Sequence, residues 1–334
     1  MKKIVFLSIS PKTWDGLETL WDKATADSEN EVTVIPIPTY KRDSNNNLSD
    51  AQYTLLGYPD NVPITDINAY SLKANHPDII YTQNIQDTSN FGFCVHPAFH
   101  TNTLKACTDQ LVYVPYMCTE EISFDNKPYL ESIKMLFICP AIKKNVDRII
   151  VQSKNQKELY LRYLAEGNPK LIELWSSRIS YNNYPRNEIL KKYDRQTVYR
   201  PDEWNALLCP DSNGHKKTVL LCTSVIEILT NEHRVINKLI ELFEDHLNKS
   251  DDYVLIWHPY PAIMEAIKML RPGLVGDYDN LVSFYRQKHI GILDELPSPT
   301  SAIIIGDEYL GDACGVMELF KTTGKPVTLL DYGI

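Results

Sequence analysis

Short runs of β-branched and aromatic residues recur along this chain, each closed by a polar residue or a proline. Residues 4–7, 32–35, 78–81, 111–114 and 148–151 form one series, and residues 218–222, 253–257, 291–293, 302–305 and 327–330 form a second. A run of this kind reads as a strand buried on both faces. Segments with helical spacing lie between the runs: Trp14, Leu17, Leu20 and Trp21, with Thr13 as N-cap, follow the first, and a long helix is predicted from about Glu232 to His246. Strands alternating with helices imply βαβ units and a largely parallel sheet.

The rhythm breaks twice. Residues 43–66, with Asn45, Asn46, Asn47, Gly57 and Pro59, form a long excursion after the second strand. From Ser180 to Lys217, Asn182, Asn183, Pro185, Pro201, Pro210 and Gly214 crowd in, with only a modest helical pattern near Ile189. These breaks predict an N-terminal domain over 1–184, a linker over 185–216 and a C-terminal domain over 217–334. The expected fold class is α/β, with two Rossmann-like domains facing across a cleft.

The chain has 334 residues, 43% hydrophobic and 23% charged, which places it among globular proteins rather than disordered or collagen-like ones. A net charge of −9 argues against a broad nucleic-acid-binding face and against a polybasic membrane anchor. Twenty Tyr against nine Phe suit apolar surfaces that also need a hydrogen bond. The seven cysteines are an odd number with no C-x-x-C pair, and they read as reduced thiols of a cytoplasmic protein. The apolar run before Pro11 is too short for a signal segment, and no stretch approaches the eighteen or so apolar residues of a membrane span.

Several chemistries are excluded by motif. No G-x-G-x-x-G, H-E-x-x-H or G-x-S-x-G occurs, and Gly324-Lys325-Pro326 puts proline where a P-loop needs Ser or Thr. His96 and His100 are spaced to share a helix face, but no carboxylate partner is evident nearby, so no metal site is expected.

Four segments remain at the carboxyl ends of predicted strands, where α/β sheets bind ligands. They are Val95 to His100, leading through Leu104 and Lys105; Cys222-Thr223-Ser224; Trp257-His258-Pro259; and Asp307 to Gly315. Asp312 is placed to cap a helix over about 313–323 that stops at Gly324, and Ala313, Cys314 and Gly315 would let an anion approach its N–H groups. Each segment also has a plain structural reading: a satisfied histidine, an ordinary cap, a strand–turn–helix junction.

Together these segments resemble the CDP-glycerol glycerophosphotransferase family, the teichoic acid primases and polymerases. The resemblance rests on Trp14 to Glu18, Val34 to Pro38, Tyr58 to Ile64, Leu111 to Tyr116, Val151-Gln152-Ser153, Cys222-Thr223-Ser224, His258-Pro259, Tyr309 to Asp312 and Lys321 to Val327. It implies a GT-B fold and transfer of a polyol phosphate from a CDP-activated donor to a hydroxyl of a cell-surface glycan or lipid-linked acceptor. No cofactor is implied, and the enzyme would work at the inner face of the membrane, in peripheral association with it. His96 looks like the family's base on the acceptor hydroxyl, with His100 and Lys105 on the same side. His258 and Pro259 look like the family's group beside the donor diphosphate. Thr223, Ser224 and Asp312 through Gly315 look like its phosphate site, with cytosine on the second domain.

Two positions depart from the family pattern. Trp257 stands where the family usually has Arg, removing a cation suited to phosphate. Ala313 and Cys314 stand for Ser, removing hydroxyls whose hydrogen bonds to a charged phosphate contribute about 1.5–3 kcal/mol each. A GT-B glycosyltransferase using a sugar nucleotide, and a non-catalytic nucleotide- or polymer-binding relative, are the alternatives. GT-B proteins usually add a helix after the last strand; the chain stops at Ile334, so a truncated chain is expected.

Overall fold

The computed structural model describes residues 1–41, 47–87, 93–209, 216–249, 253–261 and 263–333. The chain forms two compact units: Met1–Met117 with Glu121–Ile189, and Cys118–Glu120 with Leu190–Ile334.

In the first unit the strands are β1 (Lys2–Ser8), β2 (Asn30–Pro36), β3 (Thr39–Lys41), β4 (Ile79–Thr82), β5 (Phe93–Val95), β6 (Gln110–Tyr113), β7 (Arg148–Ile150) and β8 (Ile179–Ser180). Six of them make a parallel sheet ordered β2-β1-β4-β6-β7-β8. In β1, Val5, Phe6 and Leu7 are fully buried, as a central parallel strand covered on both faces requires. Val5 and Leu7 join one core with Ile35, Ile80 and Leu111, while Phe6 stacks on Tyr81 at 4.7 Å. β3 and β5 stand apart as an antiparallel ribbon. It hangs from the carboxyl edge of the sheet, because β3 follows soon after β2 ends and the His96 N–H donates to Pro38 O.

The first turn after β1 is capped by Ser10, not Thr13. Ser10 Oγ accepts from the Lys12 N–H at 3.1 Å, ahead of a 3₁₀ turn over Pro11–Gly16. Thr13 lies inside that turn, where its hydroxyl is within 3.0 Å of both Ser10 O and Gln83 Oε1.

The second unit holds β9 (Lys217–Thr223), β10 (Tyr253–Pro259), β11 (Ile292–Leu293), β12 (Glu308–Gly311) and β13 (Val327–Leu329), all parallel in the order β11-β10-β9-β12-β13. The helix His233–Asn248 lays Val235, Ile236, Leu239 and Phe243 on one face of this sheet. There Phe243, Trp257 and Tyr285 pack with ring centroids 4.8–5.2 Å apart.

The opposite face corrects one expectation. The apolar run ending at Ile305 is not a strand but the helix Thr300–Ile305, and the strand follows it at Glu308–Gly311. Ser301 through Ile305 are all buried, so the run shows no helical stripe, and periodicity cannot separate the two readings. The buried helix end needs partners for its carbonyls. Lys325 Nζ donates to Ile303 O, Ile304 O and Gly306 O at 3.3, 2.8 and 2.7 Å, and Arg195 Nη1 donates to Ile305 O at 2.7 Å.

The 185–216 stretch, expected as a linker, holds the helices Pro185–Lys192 and Asp202–Leu208. The division between the units falls inside the first of these, after Ile189. No helix among the described residues is long and apolar enough to cross a membrane.

His246 carries a pH dependence. It is buried against the Tyr253 ring, and among the described residues its Nδ1 has no hydrogen-bond partner. Burial, which penalises the charged ring, holds its pKa below the ordinary value. The unfolded chain therefore takes up a proton that the native state refuses. This contribution to stability is intact above ~6.5 and is lost as the pH falls through that value towards the lowered native one. Denaturant midpoints measured across this range should fall less steeply for His246→Leu than for the unmodified protein; parallel falls would refute the assignment.

Candidate functional site

In the second sheet the chain starts at β9, moves out through β10 and β11, then returns to the other side of β9 as β12 and β13. The reversal lies between β9 and β12, and loops that diverge at such a point leave room for a ligand outside the carboxyl edge. Cys222 of β9 pairs with His258 on one side and Gly311 on the other. His258, Cys222 and Gly311 thus form one row over three adjacent strands, about 10 Å from end to end.

Gly311 has φ +155°, and a Cβ there would lie 2.3 Å from Cys222 O. A side chain is excluded by this approach of the two strands. The chain then turns and buries Asp312, whose Oδ2 accepts the Ser224 N–H at 2.6 Å and whose Oδ1 accepts the Tyr332 hydroxyl at 2.5 Å. Burial pushes the Asp312 carboxyl above its ordinary pKa, and these hydrogen bonds oppose the shift. Two of the expected phosphate loops therefore meet, but through Asp312 itself.

Asp312 is not a helix cap. The helix after β12 spans Gly315–Lys321, its N-cap is Cys314, and no side chain caps it. Ser224 is a cap: its Oγ accepts the Glu227 N–H at 3.2 Å, opening the helix Val225–Asn231. Thr223 turns inward, where its Oγ1 accepts the buried Trp257 indole N–H at 3.1 Å. Pro259 ends β10, and the next N–H, of Tyr260, donates to Thr223 O. Ala313 is exposed, and Cys314 is half-buried with its thiol pushed up by burial. Gly315 serves a close approach, since a Cβ there would lie 2.5 Å from Cys118 O.

His258, near the carboxyl end of β10, is buried. Its side chain is 4% exposed, and its Nδ1 lies 2.8 Å from Oδ2 of Asp294, which is 0% exposed. The other Asp294 oxygen accepts the Leu296 N–H at 2.9 Å, so the carboxylate is held on both sides. Among the described residues no group takes His258 Nε2. A carboxylate at Nδ1 fixes the ring and leaves Nε2 as the nitrogen that meets a ligand. Sequence reasoning missed Asp294 and Tyr332. The only signal for Asp294 was an acidic residue directly after a short apolar strand.

The first-unit residues separate. His96 and His100 line a depression of about 360 Å³ with Tyr40, Asp87, Cys94 and Pro97. They share no helix face, because His96 caps the 3₁₀ turn Pro97–Phe99 and His100 precedes the helix Thr101–Lys105. The depression belongs to the β3–β5 ribbon rather than to the parallel sheet. Lys105 lies elsewhere: its Nζ donates to Asp147 Oδ2 at 2.6 Å and Asp109 O at 2.8 Å. Both partners directly precede strands, β7 and β6, so Lys105 ties down the amino edge of the sheet, away from any carboxyl-edge ligand. No cluster of His, Cys, Asp or Glu able to hold a metal occurs among the described residues.

No protein-family model and no curated sequence matches the chain. Solved structures do, over 99% of its length. Staphylococcus aureus MnaA with UDP matches at 14% identity and TM-score 0.50, with 79% of that chain covered. Methanocaldococcus jannaschii UDP-GlcNAc 2-epimerase, in complex with UDP-GlcNAc and UDP, matches at 15% identity and TM-score 0.52, with 84% covered. The wall teichoic acid polymerase TagF, soaked with CDPG, matches at 14% identity and TM-score 0.53, with 70% covered. The fold is GT-B.

At Trp257, where the family pattern has Arg, the side chain belongs to the core. Trp257 is fully buried on the face of β10 that packs under Phe243 and Tyr285, so a cation there would enter the core. Trp257→Arg should therefore lower unfolding free energy by about 3–5 kcal/mol, as removing a buried aromatic does. A variant as stable as the unmodified protein in denaturant unfolding would refute this placement.

Proposed function

We propose that this protein is a nucleotide-dependent transferase that moves a polyol phosphate from a CDP-activated donor to a hydroxyl acceptor of a cell-surface glycan or its lipid carrier. The observation that carries the reading is the buried His258–Asp294 pair, with Nε2 uncommitted, in the same strand row as the Ser224–Asp312 junction. The sequence resemblance to CDP-glycerol transferases and the fold shared with TagF both support it.

In this reading the second unit holds the donor nucleotide. The acceptor oxygen bonds to the β-phosphorus, the bond from that phosphorus to the bridging oxygen breaks, and CMP leaves with the electron pair. His258, protonated on both nitrogens, donates from Nε2 to a phosphate oxygen, a charge-assisted bond that strengthens as charge moves onto the departing CMP. Asp294 holds the ring so that this N–H needs no reorientation during the reaction. Ser224 and Asp312 shape the loop beside it.

The UDP-GlcNAc 2-epimerases share the fold to the same degree, which keeps a sugar-nucleotide reading in competition. Incubation with CDP-polyols and with UDP- and GDP-sugars separates the two. CMP release in the presence of an acceptor is the expected result; UDP release instead would favour the sugar nucleotide. Tight CDP binding by calorimetry, without turnover of any donor, would make the protein a binding module. His258→Gln should lower turnover by about 10²–10³-fold, with CDP still bound.

A further inference from the structure

The residue after β10 has no task in the reaction above. Tyr260 follows Pro259, and its N–H donates to Thr223 O at 3.0 Å, which carries the β9–β10 ladder one bond past its last residue pair, Pro259 and Thr223. Its carbonyl accepts the Ile263 N–H at 3.0 Å, so the backbone is held on both sides. Alternate side chains leave a strand on the same face. Tyr260 therefore lies on the face of His258, opposite Trp257, about 6.5 Å further towards the carboxyl edge.

The two residues on that face offer different chemistry. The His258 side chain is 4% exposed and polar, whereas Tyr260 is 51% exposed. A tyrosine that served the core would bury its ring, as Tyr278, Tyr285 and Tyr309 of this unit do. A tyrosine that served as a structural hydrogen-bonding group would have its hydroxyl engaged, as Tyr285 and Tyr309 have. Among the described residues the Tyr260 hydroxyl has no hydrogen-bond partner. An aromatic face thus stands open at the ligand edge on a fixed backbone. Ile226, in the first turn of the helix Val225–Asn231, is also exposed and adds apolar surface to the same edge.

We infer that the Tyr260 ring is the platform on which the base of the donor nucleotide stacks. This assignment rests on the transferase reading above, in which the second unit holds the nucleotide and His258 meets its phosphates. A nucleoside diphosphate is charged at one end and carries a flat π-face at the other, with a ribose between. An imidazolium on one strand face, followed two residues later by an open aromatic ring, matches these ends in order. Stacking needs neither charge nor hydrogen bond and tolerates any base. Tyr260 supplies affinity for a nucleotide and leaves the choice of base to other groups.

Calorimetry with CDP tests the assignment. Tyr260→Ala should weaken CDP binding by about 5–150-fold, whereas Tyr260→Phe, which keeps the ring, should bind within about twofold of the unmodified protein. Both variants should unfold at the denaturant midpoint of the unmodified protein, because the side chain lies outside the core. In NMR spectra the Tyr260 ring protons, assigned by comparison with Tyr260→Phe, should move upfield with CDP. They should stay in place with ribose 5-phosphate, which has the sugar and a phosphate but no base. Unchanged CDP affinity in Tyr260→Ala, a loss in Tyr260→Phe equal to that in Tyr260→Ala, or equal ring shifts with ribose 5-phosphate overturns the stacking role and leaves the transferase reading standing. An unmodified protein that binds no nucleoside diphosphate overturns that reading instead, and the stacking role falls with it.

Discussion

Parallel pairing is the constraint on which the rest depends. Two parallel strands cannot be joined by a hairpin, so each connection crosses a face of the sheet and every strand ends on the same edge. The crossings bury both faces, which is why the middle of β1, residues 4–7, and of β9, residues 219–222, is apolar throughout. The carboxyl edge escapes this packing. There β9 and β12 end side by side with connections leaving in opposite directions, and the Ser224–Asp312 bond joins the gap. In the first sheet the direction reverses at β1, between β2 and β4, and the chain from these two strands builds the ribbon that carries His96.

Burial then decides which polar groups are available for chemistry. Asp312 and Thr223 lie in segments that read as ligand-binding, yet each is engaged by a protein group, and so is Lys325. Lys325 is the clearest case. In sequence its Gly324-Lys325-Pro326 setting excludes a P-loop; in the fold its ammonium replaces the partners missing from the end of a buried helix, and burial lowers its pKa. His258 differs because, among the described residues, only one of its nitrogens is engaged. The serines that the family resemblance implies at positions 313 and 314 bear on the site only in part: Ala313 is exposed, whereas Cys314 packs its sulfur near the Tyr309 hydroxyl.

The architecture was largely legible in the sequence because a strand buried on both faces leaves a contiguous apolar signal. Residues 4–7, 32–35, 218–222 and 253–257 all fall within strands. The same signal misled at Ile303–Ile305, since a short helix surrounded by core is equally contiguous. Site residues were less legible. Ser224 and His258 follow from their places at strand ends, but their partners Asp312 and Asp294 lie 88 and 36 residues away. Such a partnership is set by strand order, which local pattern does not encode. Lys105 was misplaced for the same reason: a lysine soon after a histidine in sequence sits at the other edge once the helix between them has crossed.

The Asp312 carboxylate has a consequence for the dynamics of this edge. It holds the amide of Ser224 with one oxygen and the phenol of Tyr332, in the segment after β13, with the other. Neither bond can be lost without leaving part of a buried acid unsatisfied, which ties the two segments into one cooperative opening unit. Solvent exchange of the Ser224 amide proton therefore reports on the segment around Tyr332, 108 residues further along the chain. Anything that detaches Tyr332 loosens the loop after β9 without touching it.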